Sequence, residues 1–163
     1  MLIGVVSDTH NNFKNIEKIT KNFNAENVAI VVHTGDITNA YSLDKFSTLK
    51  CDLIGVYGNN DKNEVGLEEC AIKNNFQFQD PPKIVNFCNK KIAIFHEPDP
   101  IEDFLRKYQD IDIVLHGHTH RYRNEIKKNT LFFNPGESAG MLEGKNAIGI
   151  IDLKDLKTRR IFF

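Results

Sequence analysis

No stretch of this chain stays apolar for the ~18 residues that a membrane-spanning helix needs, and no block of like charge interrupts it. Lys plus Arg number 21 and Asp plus Glu 22, giving a formal charge of −1. Broad, charge-driven association with membranes or long nucleic acid is therefore disfavoured. A basic stripe interleaved with stacking aromatics, the footprint of a single-strand binder, is also missing. A small local site for one phosphate stays open. The opening MLIGVVSD has no basic segment before its apolar run and no small-residue cleavage pattern, so no secretory leader is expected and the expected setting is cytoplasmic. Cys51, Cys70 and Cys88 are odd in number and never form a CxxC pair, which excludes a zinc knuckle or a dithiol redox motif. They read as buried reduced thiols. No repeat, low-complexity tract or linker divides the 163 residues, a length that suits a single domain, 1–163, with a substantial core.

What is present is a series of short Ile- and Val-rich runs: LIGVV, VAIVV, LIGVY, KIAIF and DIVLH. Such runs without strict alternation suit strands covered on both faces. Between the first two, Phe13, Ile16, Ile19 and Phe23 recur at helical spacing, with Thr9, Asn11 or Asn12 available as the N-cap. Helical patterns follow in AYSLDKFSTLK, EVGLEECAIKNN and PDPIEDFLRKYQD. KIVNFCNKKIAIFH reads as two strands joined at Asn89-Lys90, and TLFFN, NAIGIIDL and TRRIFF read as further strands. The expected class is α/β, with alternating strands and helices giving way to mostly β, two packed sheets and helices outside.

The chemistry sits just beyond each apolar run. LIGVV leads to Asp8 and His10, VAIVV to Asp36, LIGVY to Asn59, Asn60 and Asp61, KIAIF to His96, and DIVLH to His118 and His120. Ligands of open α/β sheets bind beyond the carboxyl ends of strands, so residues scattered in sequence can converge there. An Asp-x-His or His-x-His step in extended chain puts both side chains on one side. Gly35, Gly58 and Gly117 each precede a candidate ligand, where the backbone must turn and approach closely. Singly, an Asp after a strand is usually a cap and a lone His a structural residue; five equivalent placements make that explanation poor.

Even with one group counted from Asn59, Asn60 and Asp61, the seven that result exceed the four ligands of a tetrahedral zinc and suit two ions roughly 3.5–4 Å apart. Two divalent ions, the carboxylates of Asp8 and Asp36 and one hydroxide leave a single positive charge, which a phosphodiester would neutralise. Mixed imidazole and carboxylate donors favour transition ions, with manganese first and nickel, iron, cobalt or zinc as alternatives, over magnesium or calcium.

The ordered series Asp8-x-His10, Gly35-Asp36, Gly58-Asn59-Asn60-Asp61, His96 and Gly117-His118-Thr119-His120 resembles the motifs of calcineurin-like metallophosphoesterases. The short length and the segment Asn134-Pro135-Gly136-Glu137 resemble their small bacterial and archaeal phosphodiesterase branch. That resemblance implies a four-layer sandwich of two mixed β-sheets flanked by helices. It implies one ion held by Asp8, His10, Asp36 and His120 and the other by Asp36, Asn59, His96 and His118, with a bridging hydroxide attacking the phosphorus of a small or nucleotide-like phosphodiester. Many members of the family carry a histidine where this chain has Asn60. An amide cannot supply a proton, so Asn60 is expected to bond a phosphoryl oxygen or position water, and substrates with acidic leaving groups are expected to be preferred. The branch commonly reads His-Gly-His where this chain reads His96-Glu97-Pro98; Glu97 is an extra ligand, a charge facing the substrate, or a solvent residue. The alternative to an enzyme is a protein-binding scaffold on the same fold, as in a retromer subunit. A homodimer through the C-terminal strands stays open. His33 and His116 read as structural, and Asp61 as a loop-fixing residue.

Overall fold

The computed structural model describes residues 1–163. The first half alternates as expected: β1 (Leu2–Val6), α1 (Phe13–Glu26), β2 (Ile30–His33), α2 (Ala40–Asp44) with a 3₁₀ turn after it, β3 (Asp52–Val56), α3 (Leu67–Lys73) and β4 (Gln77–Gln79). Then come the hairpin β5 (Lys83–Phe87) and β6 (Lys90–Ile94), α4 (Ile101–Lys107), β7 (Ile113–Leu115), β8 (Arg123–Lys127), β9 (Thr130–Asn134), β10 (Ala147–Asp152) and β11 (Lys157–Phe162). Asn12 caps α1, its side chain accepting from Asn15 N at 3.1 Å.

One sheet runs β11-β10-β1-β2-β3-β4, with β1 to β4 parallel and the last two strands antiparallel. The other runs β5-β6-β7-β9-β8, with β6, β7 and β9 parallel between antiparallel edges. Alternation decides what each strand buries. Ile3, Val5, Val32 and Val56 of the first sheet meet Ile92, Ile94, Leu115 and Phe133 of the second. Val6, Val31 and Leu53 turn the other way, onto Ile16, Ile19 and Phe23 of α1 and Leu67 of α3. On the far side of the second sheet, α4 lays Ile101 and Phe104 over Ala93, Val114 and Phe132. The result is four layers, helix, sheet, sheet, helix, with each buried Leu, Ile, Val or Phe contributing about 1.5–3 kcal/mol.

Three expectations need adjustment. The β5–β6 turn falls at Cys88 and Asn89, at φ 49° and 60°, one residue earlier than Asn89-Lys90; both central residues of this tight turn take positive φ. Cys88 is consequently exposed, and of the three free thiols only Cys70 is buried. Strands β4 (QFQ) and β8 (RNEIK) carry no apolar run because both are sheet edges, where polar and charged residues are favoured. Edge strand β11 carries Arg159, paired with Glu26, and Arg160, 4.5 Å from the ring centres of both Tyr122 and Phe162.

Candidate metal centre

The parallel strands β1, β2, β3, β6 and β7 all end at one rim. The loops beyond them bring together Asp8 and His10, Asp36, Asn59, His96, and His118 and His120, the seven residues expected from sequence. The local geometry differs from the extended steps anticipated. Asp8, His10, Asp36, His118 and His120 have φ of 52°, 38°, 61°, 66° and 56°, so each pair converges through left-handed turns rather than strand alternation. Such conformations cost non-glycine residues of order 1–3 kcal/mol each and persist only when the surroundings over-determine them. Here they do: Thr9 N and His10 N both donate to Asp36 O at 3.1 Å, and Asp8 N donates to Gly35 O at 3.1 Å. Asp61, almost fully buried, accepts from Asp36 N, Ile37 N, Thr38 N and Gly58 N at 2.7–2.9 Å, so it ties the Asp36 loop to the Asn59 loop. Gly35 needs its φ of 102°. Gly117 is required for space, since a Cβ there would overlap Ser7 Oγ and lie 2.9 Å from Asp8 Oδ2.

Two donor groups form. His10 Nε2 and His120 Nε2 lie 3.3 Å apart, with Asp8 Oδ1 3.5 Å from the latter. On the other side Asn59 Oδ1 stands 3.0 Å from both His96 Nε2 and His118 Nδ1. Asp36 reaches both groups: Oδ2 is 3.4 Å from His10 Nε2, and Oδ1 is 3.4 Å from His96 Nε2. Asp8, His10 and His120, and separately Asp8, Asp36 and His96, place ligand atoms within 4.8 Å of one another.

The donor set fits cations. His96 Nδ1 donates to Thr34 O at 2.8 Å, so in the neutral ring the lone pair lies on Nε2. That lone pair faces Asn59 Oδ1 and Asp36 Oδ1, both acceptors, an arrangement that only a proton or a metal ion on the nitrogen makes favourable. Burial opposes ionisation of Asp36, but His96 and the Asn60 donors outweigh it and hold its carboxyl well below the usual range. Asp8 goes the other way: burial pushes it upward, partly offset by the Ser7 hydroxyl.

The residues read as structural behave so. His33 is fully buried, accepting from Gly35 N at Nδ1 (3.1 Å) and lying 3.2 Å from Thr9 Oγ1 at Nε2; burial pushes it down to about 3. His116 sits between Gly117 O and Arg123 Nη1, and burial pushes it down to about 4. Asn60 is turned inward onto Asp36 rather than standing free. Glu97 belongs to neither donor group and lines a cleft beside His96. The residue that sequence reasoning missed is Glu137. It is fully buried, accepts from Met141 N and Leu142 N at 3.2 and 2.8 Å, and lies 3.7 Å from His120 Nδ1. Its signal was a carboxylate inside NPGE, directly after a strand parallel to β7.

Similarity to known proteins agrees with this geometry. Phosphodiesterase MJ0936 of Methanocaldococcus jannaschii is 35% identical over 163 residues, covering 99% of this chain and 98% of the relative. A solved archaeal phosphodiesterase superposes with a TM-score of 0.91 at 34% identity, over the whole of both chains. A zinc-bound Vps29 from Entamoeba histolytica, with TM-score 0.71, 18% identity and 99% of each chain covered, shares the fold. Residues 1–156 match the calcineurin-like phosphoesterase superfamily domain, and the chain belongs to that superfamily.

Proposed function

We propose that this chain is a dimetal-dependent phosphodiesterase acting on a small phosphodiester. The observation that carries the reading is Asp36, whose two carboxylate oxygens face different histidines, His10 and His96, at equal 3.4 Å distances. In this reading Asp8, His10, Asp36 and His120 hold one ion, and Asp36, Asn59, His96 and His118 the other. Manganese is the first candidate, with nickel, iron, cobalt and zinc as alternatives, by donor chemistry. When bound, the ions supply Lewis acidity and an activated water at neutral pH. The chain's own part is positional. Asp61 locks two of the loops, Asn60 holds the Asp36 carboxylate ionised and oriented, and His96 keeps its tautomer through Thr34 O. Asn60, an amide, stands where many relatives offer a histidine to a departing alkoxide, so acidic leaving groups are favoured.

The Vps29 likeness supports a scaffold role by fold alone, and all seven ligand positions persist in this chain, which favours the enzyme. The deciding experiment is metal-reconstituted protein assayed on phosphodiesters and monoesters beside Asp36→Asn. The expected result is metal-dependent diester cleavage lost in the variant. Cleavage surviving Asp36→Asn would remove the bridging role, and no cleavage with any divalent ion would favour the scaffold.

A further inference from the structure

A cleft of about 100 Å³ opens beside the second donor group, with Asn59 and His96 in its wall. Pocket size limits what can enter. Pockets that bury drug-sized ligands measure roughly 300–1,000 Å³, so the cleft itself takes a short alcohol, and a larger group would run on into the groove that shares Tyr57, Lys62 and Pro81. Its apolar surface comes from Pro81, Pro82 and Pro100 and from the half-buried ring of Tyr57, which suits methylene groups.

Two charges line it as well. Lys62 and Glu97 make no ion pair within 4 Å with any group of the chain. A neighbouring groove, which shares Tyr57, Lys62 and Pro81, adds Glu64, Glu68 and Asp80. Beyond Lys62 the surroundings are therefore acidic. A carboxylate in a small cleft repels a second anion and attracts a cation, more strongly where low-dielectric walls replace water.

We propose that this cleft is the leaving-alcohol subsite and that Glu97 selects diesters whose alcohol carries an ammonium group, such as a 2-aminoethyl or choline-type ester. The substrate is then zwitterionic: Lys62 and the metal centre take the phosphoryl oxygens, and Glu97 takes the cation. The chemistry balances as a hydrolysis. Water's oxygen bonds to phosphorus, the P–O bond to the amino alcohol breaks, and one proton of that water ends on the departing oxygen, leaving a phosphomonoester. An ammonium two carbons away withdraws electrons and makes the alcohol a better leaving group, which offsets the missing proton donor at Asn60. Recognition and departure thus favour the same class of alcohol.

The inference rests on the diesterase reading for its chemistry, so binding and turnover are measured separately. Binding uses manganese-loaded protein titrated calorimetrically with the slowly cleaved 2-aminoethyl and 2-hydroxyethyl esters of methylphosphonate. The aminoethyl ester should bind at least fivefold tighter, Glu97→Gln should bring that ratio to about one, and Glu97→Lys should invert it. Turnover uses glycerophosphoethanolamine and glycerophosphoglycerol, with release of the alcohol read for each, and the kcat/KM ratio should favour ethanolamine at least tenfold in the parent and collapse in Glu97→Gln. Equal binding of the two esters overturns the subsite whatever the turnover. A Glu97-dependent binding preference without turnover of any diester upholds Glu97 as an ammonium site and overturns both its leaving-alcohol role and the diesterase reading.

Discussion

Asn60 clasps Asp36 at two points, its side-chain Nδ2 donating to Oδ2 at 2.8 Å and its backbone N–H to Oδ1 at 3.1 Å. A carboxylate held this way keeps one orientation whether or not ions are present. With Asp36 reaching both donor groups, Asp36→Asn is expected to lower diester turnover by at least about 100-fold, a loss of roughly 2.7 kcal/mol of transition-state stabilisation. Bound metal should fall from two ions to one per chain, counted by elemental analysis after gel filtration. Retention of both ions would show that Asp36 does not bridge.

Replacing Asn60 by histidine should restore a proton donor to the departing alkoxide, an effect typically worth 10²–10⁴-fold where such a group is well placed. The gain belongs to poor leaving groups only. The ratio of alkyl-diester to nitrophenyl-diester kcat/KM should rise at least tenfold, and an unchanged ratio would refute the account of Asn60.

Asp61 accepts four buried backbone N–H groups, and Asp61→Ala strands them all. Each stranded donor costs about 1–3 kcal/mol. Some will recover water, so a net loss of roughly 3 kcal/mol is expected, lowering Tm by about 6–12 °C for a chain of this size. Thermal unfolding of chelator-treated protein separates this from any loss of metal. A drop below 2 °C would mean that the loops are held by something else.

His33 and His116 are buried neutral, at about 3 and about 4 against an unfolded value of about 6.5. Between those values the unfolded chain binds the proton and the folded chain does not. Their contribution is therefore complete above about pH 6.5 and lost as the pH falls toward 4 and then 3. Each can contribute up to ~1.4 kcal/mol per pH unit. Urea titrations of metal-free protein from pH 7.5 to 5 should show a shallower dependence in His33→Gln than in the parent; parallel slopes would contradict the assignment.

Glu137 stands 3.7 Å behind His120 Nδ1 while holding the loop at Met141 and Leu142. A carboxylate behind a ligating imidazole fixes its ring and raises its basicity, and losing one typically costs 10–100-fold in metal affinity. Glu137→Gln should weaken one of the two ions by that factor, measured by chelator competition, and leave the other within about threefold. Affinities for both ions unchanged from the parent would place Glu137 with the loop alone.

The positions of the candidate ligands were legible because each follows an apolar run, and parallel strands of one sheet end at the same rim. Their backbone conformation was not: the Asp8 and His10 spacing looks like alternation, yet both residues lie at positive φ, a choice made by bonds to Gly35 O and Asp36 O that come from distant sequence. Asp61 was read as a local fixer of its own loop, whereas three of its four partners lie more than 20 residues away. Strands β4 and β8 escaped notice because edges need no hydrophobic signal, and Glu137 because a turn motif hides a side chain that points inward. Glu97 could be ranked only once the fold placed it in a cleft beside His96.

Candidate ligands drawn from five strand ends, between Asp8 and His120, have a consequence for how the protein would mature. No contiguous segment carries more than two of them; the parallel strands β1 to β3 set Asp8, His10, Asp36 and Asn59 at one rim, and His96, His118 and His120 arrive only with the second sheet. The full ligand set proposed for either ion therefore exists only once both sheets are stacked, which would make metal occupancy a readout of completed folding. A nascent chain built this way would hold an early ion with an incomplete set, and selection among metals would be deferred until His96, His118 and His120 are in place.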